Sequence, residues 1–335
     1  MAGKLEKILL IGSTGTIGYH ILQAFLPKVA SFKRVAIFTS QNTVESKKDL
    51  IAQVKAAGAE VLVGDLGNEA QVKETFAGFD TIISALGRGA LHLQPGLISI
   101  AASLTPPKRF FPSEYGTDIR YDPVTSPHEV PHQNKLKVRA HIEALAREGK
   151  ITYTYVVTGP FADTFFISRL QGLAVGLNIG NATYGIVGPE DPTKQAKISG
   201  TTYSDTARYV LSAVQAPAET TKNATLRVES FTAKPSELLK SFETVLGKSL
   251  KPIYSSLDEL RKLEKAKSEA KDPSVVVYTL NRIWYEGGSD FSRKPVALYL
   301  DEKTGEDVED PEKSKDLFKD VPKRPLEEVI KEIIL

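Results

Sequence analysis

An apolar strand that turns through three glycines into a helix leaves a chain few folds to choose from, and residues 7–18, KILLIGSTGTIG, have that form. Ile8, Leu9, Leu10 and Ile11 lack the alternation of a half-exposed strand, so both faces must be covered, as in a central parallel strand. Gly12, Gly15 and Gly18 follow at three-residue spacing, and Ile21, Leu22 and Phe25 then recur at helical spacing. Such a turn aims free backbone N–H groups and a positive helix end at one spot. Without Cβ atoms the glycines let a pyrophosphate come close to the backbone. Glycine triplets also make ordinary tight turns; the strand before and the helix after are what point to a dinucleotide.

The pattern repeats down the first half. Residues 34–39, 60–63, 81–85, 109–111 and 152–157 read as buried strands, and residues 47–57, 69–76, 93–103 and 134–147 as helices between them. Short connections in strict alternation mean an α/β fold, a doubly wound parallel sheet of the Rossmann type. Residues 118–131 interrupt it with a Pro/His/Asp-rich loop. Beyond residue 158 the alternation weakens: an aromatic stretch, PFADTFFISRL, precedes a late strand at 224–229, a helix at 235–246, a charged amphipathic helix or solvated segment at 257–271, and a polar surface loop at 301–316. These segments form a smaller C-terminal α/β lobe packed on the sheet.

Composition closes several routes. A net charge of +2 with no Lys/Arg-rich block argues against a nucleic-acid surface, and the absence of cysteine removes disulfides, thiol nucleophiles and cysteine metal sites. No apolar run approaches a membrane span, and the first strand begins too early for a signal peptide, so a cytoplasmic protein is expected. His128 and His132 lack metal-ligand spacing to other donors, so no metal is expected.

A carboxylate at the end of the second strand would favour NAD; here Phe38-Thr39-Ser40-Gln41-Asn42 carries none, and Lys47 and Lys48 follow. Hydroxyls, amides and ammonium groups suit a 2′-phosphate, hence NADP(H), unless the lysines merely begin a solvated helix. No mid-chain tyrosine stands four residues before a lysine. Lys135, with His132 and Arg139 one turn to either side, is the alternative proton-transfer group if it is desolvated, and otherwise a solvated helix lysine. Ser113 and Glu114 stand at the carboxyl edge of the sheet, where they either meet a ligand or close the turn.

GSTGTIG, RFFPSEYG and KLKVRAHIEAL followed by ITYTYVVTGPFADTFF resemble the isoflavone-reductase-like, or NmrA-like, branch of atypical short-chain dehydrogenases over roughly residues 5–250. The resemblance implies NADPH pyrophosphate on Gly12, Gly15 and Gly18, and the 2′-phosphate on Lys47. The family's arginine near the end of the second strand is replaced, with Ser40 about where it would stand. K-x-x-[VI]-R falls on Lys135–Arg139, making Lys135 the catalytic lysine and Lys137 the second choice. P-S-E-F-G appears as Pro112-Ser113-Glu114-Tyr115-Gly116. The cofactor set so implied is Gly12, Thr14, Gly15, Thr16, Ile17, Gly18, Thr39, Ser40, Lys47, Ala85, Leu86, Gly87, Ser113, Glu114, Tyr115, Lys135, Gly159, Pro160 and Phe161. The substrate set is Tyr115, His132, Phe161, Phe165 and Phe166, suited to a flat or aromatic molecule. Residues 1–160 would hold NADP(H) and residues 161–335 the substrate, with some later segments returning to the first domain, in a monomer or homodimer.

Three activities fit these expectations. One is NADPH-dependent reduction of a small conjugated or aromatic natural product, such as an enone, imine or quinone methide. Another is a redox-neutral cyclisation or rearrangement with NADP(H) bound. The third is nucleotide sensing without turnover.

Overall fold

The computed structural model describes residues 5–120, 129–167, 170–291, 296–300, 307–309, 317–321 and 323–335. The first half alternates as β1 (Leu5–Ile11), α1 (Thr16–Phe25), β2 (Phe32–Thr39), α2 (Gln41–Ser46), α3 (Lys48–Ala56), β3 (Glu60–Val63), α4 (Glu69–Ala77), β4 (Thr81–Ser84), α5 (Gln94–Ala102), β5 (Lys108–Phe111), α6 (Val130–Arg147) and β6 (Ile151–Val157). The apolar run of β1 does what its composition demands. Ile8 and Leu10 enter one core with Ile21, Leu22 and Phe25 of α1, while Leu9 and Ile11 enter another with Phe76 of α4, Ile98 of α5 and Ile142 of α6. Helices therefore cover both faces, and β1 sits between β4 and β2 with parallel pairing on each side.

The second half adds α7 (Ala162–Phe165), β7 (Gly176–Asn178), β8 (Thr183–Val187), β9 (Ile198–Gly200), α8 (Tyr203–Gln215), α9 (Ala218–Thr221), β10 (Ala224–Arg227), β11 (Phe231–Ala233), α10 (Pro235–Leu246), β12 (Lys251–Ser255), α11 (Leu257–Glu269), α12 (Val275–Tyr285), β13 (Val296–Leu300), β14 (Asp307–Glu309) and α13 (Leu326–Ile334). The large sheet runs β14-β13-β10-β6-β5-β4-β1-β2-β3. It is parallel from β3 to β10, but β13 and β14 add antiparallel strands at its edge, so the sheet is mixed rather than purely parallel.

Some second-half elements join the large sheet and its core. β10 pairs with β6, and α8 contributes Ala207, Val210 and Val214 to the core over α1. The remaining second-half elements build a lobe with its own core around Phe166, Tyr184, Phe242, Tyr278 and Ile330. Within the polar stretch expected to be a surface loop, residues 307–309 form β14; ladder hydrogen bonds to β13 outweigh local polarity there. The rest of that stretch lies outside the described residues, as do residues 121–128 of the mid-chain loop, His128 among them.

Two boundaries also move. The helix expected at 47–57 forms as α3, one residue shorter at each end; Ser40 caps an additional short helix, α2, ahead of it, and Lys47, at φ −120° and ψ 46°, separates the two. The mid-chain helix begins four residues early, because the Glu129 side chain caps it and Pro131 sits in its first turn, where its missing N–H costs nothing.

Candidate active site

Loops at the carboxyl edge of the sheet surround a cleft of about 470 Å³. The glycine loop contributes Gly15, Thr16 and Ile17; the segment after β4 contributes Ala85 to Arg88 and Leu91. Ser113, Tyr115, Gly116 and Thr117 come from the turn after β5, and Pro131, His132 and Lys135 from α6. Gly159, Pro160, Phe161 and Thr164 follow β6, and Tyr203 begins α8; Leu280 and Trp284 of α12 form the wall supplied by the second lobe. No aspartate or glutamate lines the cleft among the described residues.

The glycines serve different ends. Gly12 has φ +72°, and a Cβ on it would lie 2.6 Å from Ala85 O, while a Cβ on Gly18 would lie 2.1 Å from Gly12 O. These two close the loop onto β4 and seat α1 on the loop. Gly15, which faces the cleft, caps α1 without a side chain, and no acidic residue occupies the first turn. A positive helix end therefore opens on a cleft free of carboxylates, which is what a pyrophosphate requires. Lys47 Nζ lies on the same loop, donating to Thr14 O at 2.5 Å. These residues fit a dinucleotide bearing an additional phosphate.

Lys135 is 8% exposed, and its Nζ donates to the main-chain oxygen of Glu114 at 3.1 Å. Burial holds its ammonium below the usual lysine range. The neighbouring carboxylates are taken by arginines. Arg139 Nη2 bonds Glu114 Oε2 at 2.7 Å, Arg227 Nη2 bonds Asp118 Oδ2 at 2.7 Å, and Arg88 pairs with the fully buried Glu129. His132, one turn before Lys135, is pushed down to about 3 by burial and by the Lys135 charge, so its imidazole is neutral across the physiological range. Gly116 closes the floor: its oxygen accepts from Thr158 N and Gly159 N at 3.1 and 3.0 Å. Above it, Trp284 Nε1 donates to Thr117 Oγ1 at 2.8 Å, tying the second lobe to the turn after β5.

Most of the expected site residues meet here, but several do not. Gly12, Thr14, Gly18, Thr39, Ser40 and Lys47 stand beside the cleft around the first two strand ends, and Ser40 spends its hydroxyl capping α2. Glu114 is fully buried, its carboxylate turned to Arg139 rather than into the cleft. Phe165 and Phe166 do not line the cleft. Phe165 packs on Trp284 and Tyr285, and Phe166 on Phe231 and Phe242, because both follow the first turn of α7 into the lobe's core. Of the aromatic stretch only Phe161 remains, packed on Tyr203 with ring centroids 4.8 Å apart. Arg88, Leu91, Thr117, Pro131, Thr164, Tyr203, Leu280 and Trp284 were not among the expected site residues. The edge rule for open α/β sheets could have flagged Arg88 and Thr117, which lie just past β4 and β5. Nothing in the spacing announces Leu280 or Trp284.

A sequence profile of the NmrA-like family matches residues 4–276. The chain belongs to this family. It is 33% identical over 270 residues to phenylcoumaran benzylic ether reductase PT1 of Pinus taeda, covering 78% of this chain and 82% of that protein. It is 28% identical over 295 residues to isoflavone reductase of Glycine max, covering 84% and 89%. In the NmrA-like protein described here the fold is that of solved reductases. The solved structure of AtPrR2 with NADP+ and (+)pinoresinol superposes with a TM-score of 0.77 at 22% identity, over 99% of this chain and 100% of that one. The complex of leucoanthocyanidin reductase with NADPH from Vitis vinifera gives 0.75 at 22%, over 98% and 99%. Among the described residues no helix is long and apolar enough to cross a membrane, and no three His, Cys, Asp or Glu side chains gather to hold a metal ion.

Proposed function

We propose that this protein is an NADPH-dependent reductase of a small aromatic or conjugated natural product. It is an NADP-dependent oxidoreductase of the NmrA-like family, and its relatives' names, phenylcoumaran benzylic ether reductase and isoflavone reductase, point to phenylpropanoid-type substrates. One observation carries the chemical reading: a buried lysine without a carboxylate partner stands in a cleft that begins at an uncapped helix N-terminus.

Gly15, Thr16 and Ile17 would hold the pyrophosphate of NADPH at the start of α1, and Lys47 its 2′-phosphate; Ala85 to Gly87, Ser113 and Tyr115 would hold the rest of the dinucleotide. NADPH, when bound, supplies a hydride from nicotinamide C4 to an electron-poor carbon of an enone, imine or quinone methide. Phe161, Leu280 and Trp284 hold the flat face of the substrate and keep water from it. Lys135 Nζ anchors the substrate oxygen and delivers or takes the balancing proton, while neutral His132 offers a second hydrogen bond. Positioning the two reactants can lower the barrier by ~7–11 kcal/mol, more than the ~10²–10⁴-fold expected of proton transfer.

The test is NADPH consumption against a panel of enones, quinone methides and benzylic ethers, with product mass. A gain of two hydrogens supports reduction; an unchanged mass indicates a redox-neutral rearrangement, and no turnover with any substrate indicates a sensor. Lys135→Ala should lower kcat by roughly 10²–10⁴-fold while NADPH binds as before. Wild-type turnover in that variant removes Lys135 from the mechanism.

A further inference from the structure

Glu114 offers two kinds of acceptor near the cleft, and the fold divides them. Its side-chain carboxylate goes to Arg139, with Nη2 to Oε2 at 2.7 Å, and only its main-chain oxygen goes to Lys135 Nζ, at 3.1 Å. Both side chains of the Glu114–Arg139 pair are buried, at 0% and 3% exposure. Arg139 also stands with Nη1 3.6 Å from Asp118 Oδ1, and its guanidinium lies over the Tyr155 ring at 4.6 Å, so it is fixed from three sides.

The groups facing Lys135 can be taken element by element. Glu114 and Tyr115 come from the turn after β5, with Asp118 just beyond. Arg88 comes from the segment after β4, Glu129, His132 and Arg139 from α6 itself, and Tyr203 from α8 across the cleft. Every carboxylate in that set has an arginine: Arg139 for Glu114, Arg227 with Arg139 for Asp118, and Arg88 for Glu129. Of the two cationic side chains lining the cleft among the described residues, Arg88 is so paired and Lys135 is not. An ammonium left with one carbonyl in a buried site gives up its proton more readily than one beside a carboxylate.

We propose that Arg139 is the positioning residue for Lys135. By binding the Glu114 carboxylate and facing Asp118, it keeps the lysine without a counterion, so the cleft's proton-transfer group stays free for a substrate oxygen. This rests on the reading of Lys135 as that group, and it assigns the arginine of K-x-x-V-R a role in the chemistry through its neighbour rather than through any contact with substrate.

The experiment is pH-resolved competitive labelling of the whole protein with acetic anhydride, followed by mass spectrometry of the Lys135 peptide. This reads the titration of Lys135 with no turnover required. In wild type the labelling midpoint should fall below that of exposed lysines. In Arg139→Gln the freed Glu114 carboxylate can engage the ammonium, and the midpoint should rise by about one to three pH units. Arg139→Lys, which keeps a cation on Glu114, and the double variant Arg139→Gln/Glu114→Gln, which removes both partners, should each return it to the wild-type position. Should Arg139→Gln fail to fold, the double variant, which leaves no buried unpaired charge at Glu114, is compared with Arg139→Gln/Glu114→Asp, which keeps a carboxylate: a midpoint raised in the first, or unmoved in the second, overturns the proposal. So does an unmoved midpoint in a folded Arg139→Gln that still binds NADP+. With a substrate in hand, the limb of the kcat–pH profile set by Lys135 should move in the same direction in Arg139→Gln. Absence of turnover with every substrate would count against the reductase reading and leave the labelling result standing.

Discussion

His132 and Lys135 share one turn of α6 and one cleft, and burial lowers the proton affinity of both. For His132 this has a consequence in stability. Its folded value of about 3 lies below the ordinary 6.5, so between those limits the unfolded chain binds the extra proton and folding is penalised. The stability tied to its neutral form is complete above about pH 6.5 and is lost as pH falls toward 3. His132→Asn should therefore flatten the decline of Tm between pH 6.5 and 4, read by calorimetry at several pH values; an unchanged slope would show that His132 is not the group responsible. The same residues mark what a sequence can yield at this scale. Lys135 and His132 were legible from K-x-x-V-R and from position. The state of the lysine was not, because it depends on Glu114, Glu129 and Asp118 each finding an arginine, and Arg227 and Arg88 arrive from distant strand ends.

At the level of elements, the strand–glycine–helix unit reads most directly, since each of its constraints is local. Gly18 tolerates no side chain, because a Cβ there would fall 2.1 Å from Gly12 O, a backbone atom that cannot step aside without moving the loop. Gly18→Ala should cost about 1–3 kcal/mol in stability and weaken NADPH binding by more than tenfold. Denaturation and fluorescence titration check both, and wild-type cofactor affinity in that variant would break the link between this glycine and the nucleotide. The helix boundaries were harder to read. Pro131 reads as a loop residue until Glu129 is seen capping the turn ahead of it, and Lys47 reads as helical until its ammonium is found on Thr14 O.

Over the whole molecule, the second half is both partner and part of the first. β10 extends the sheet, α8 covers α1, and α12 reaches back so that Trp284 bonds Thr117 beside the cleft. Phe166 belongs to the lobe's core, not to the cleft, and that assignment can be checked. Phe166→Ala should destabilise the protein by ~3–5 kcal/mol in chemical denaturation, while NADPH affinity and KM of the folded fraction stay near wild type. A change in KM without loss of stability would return Phe166 to the substrate site. The sequence by itself determined the class of fold, the strand–glycine–helix unit and the place of Lys135 on the mid-chain helix, because strand burial, glycine spacing and helix periodicity are short-range properties. Only the tertiary structure decided which aromatics face the cleft, that Leu280 and Trp284 wall it, and that Lys135 stands without a counterion. Those depend on contacts between residues far apart in the chain, where side-chain direction and charge pairing are settled by packing rather than by neighbours.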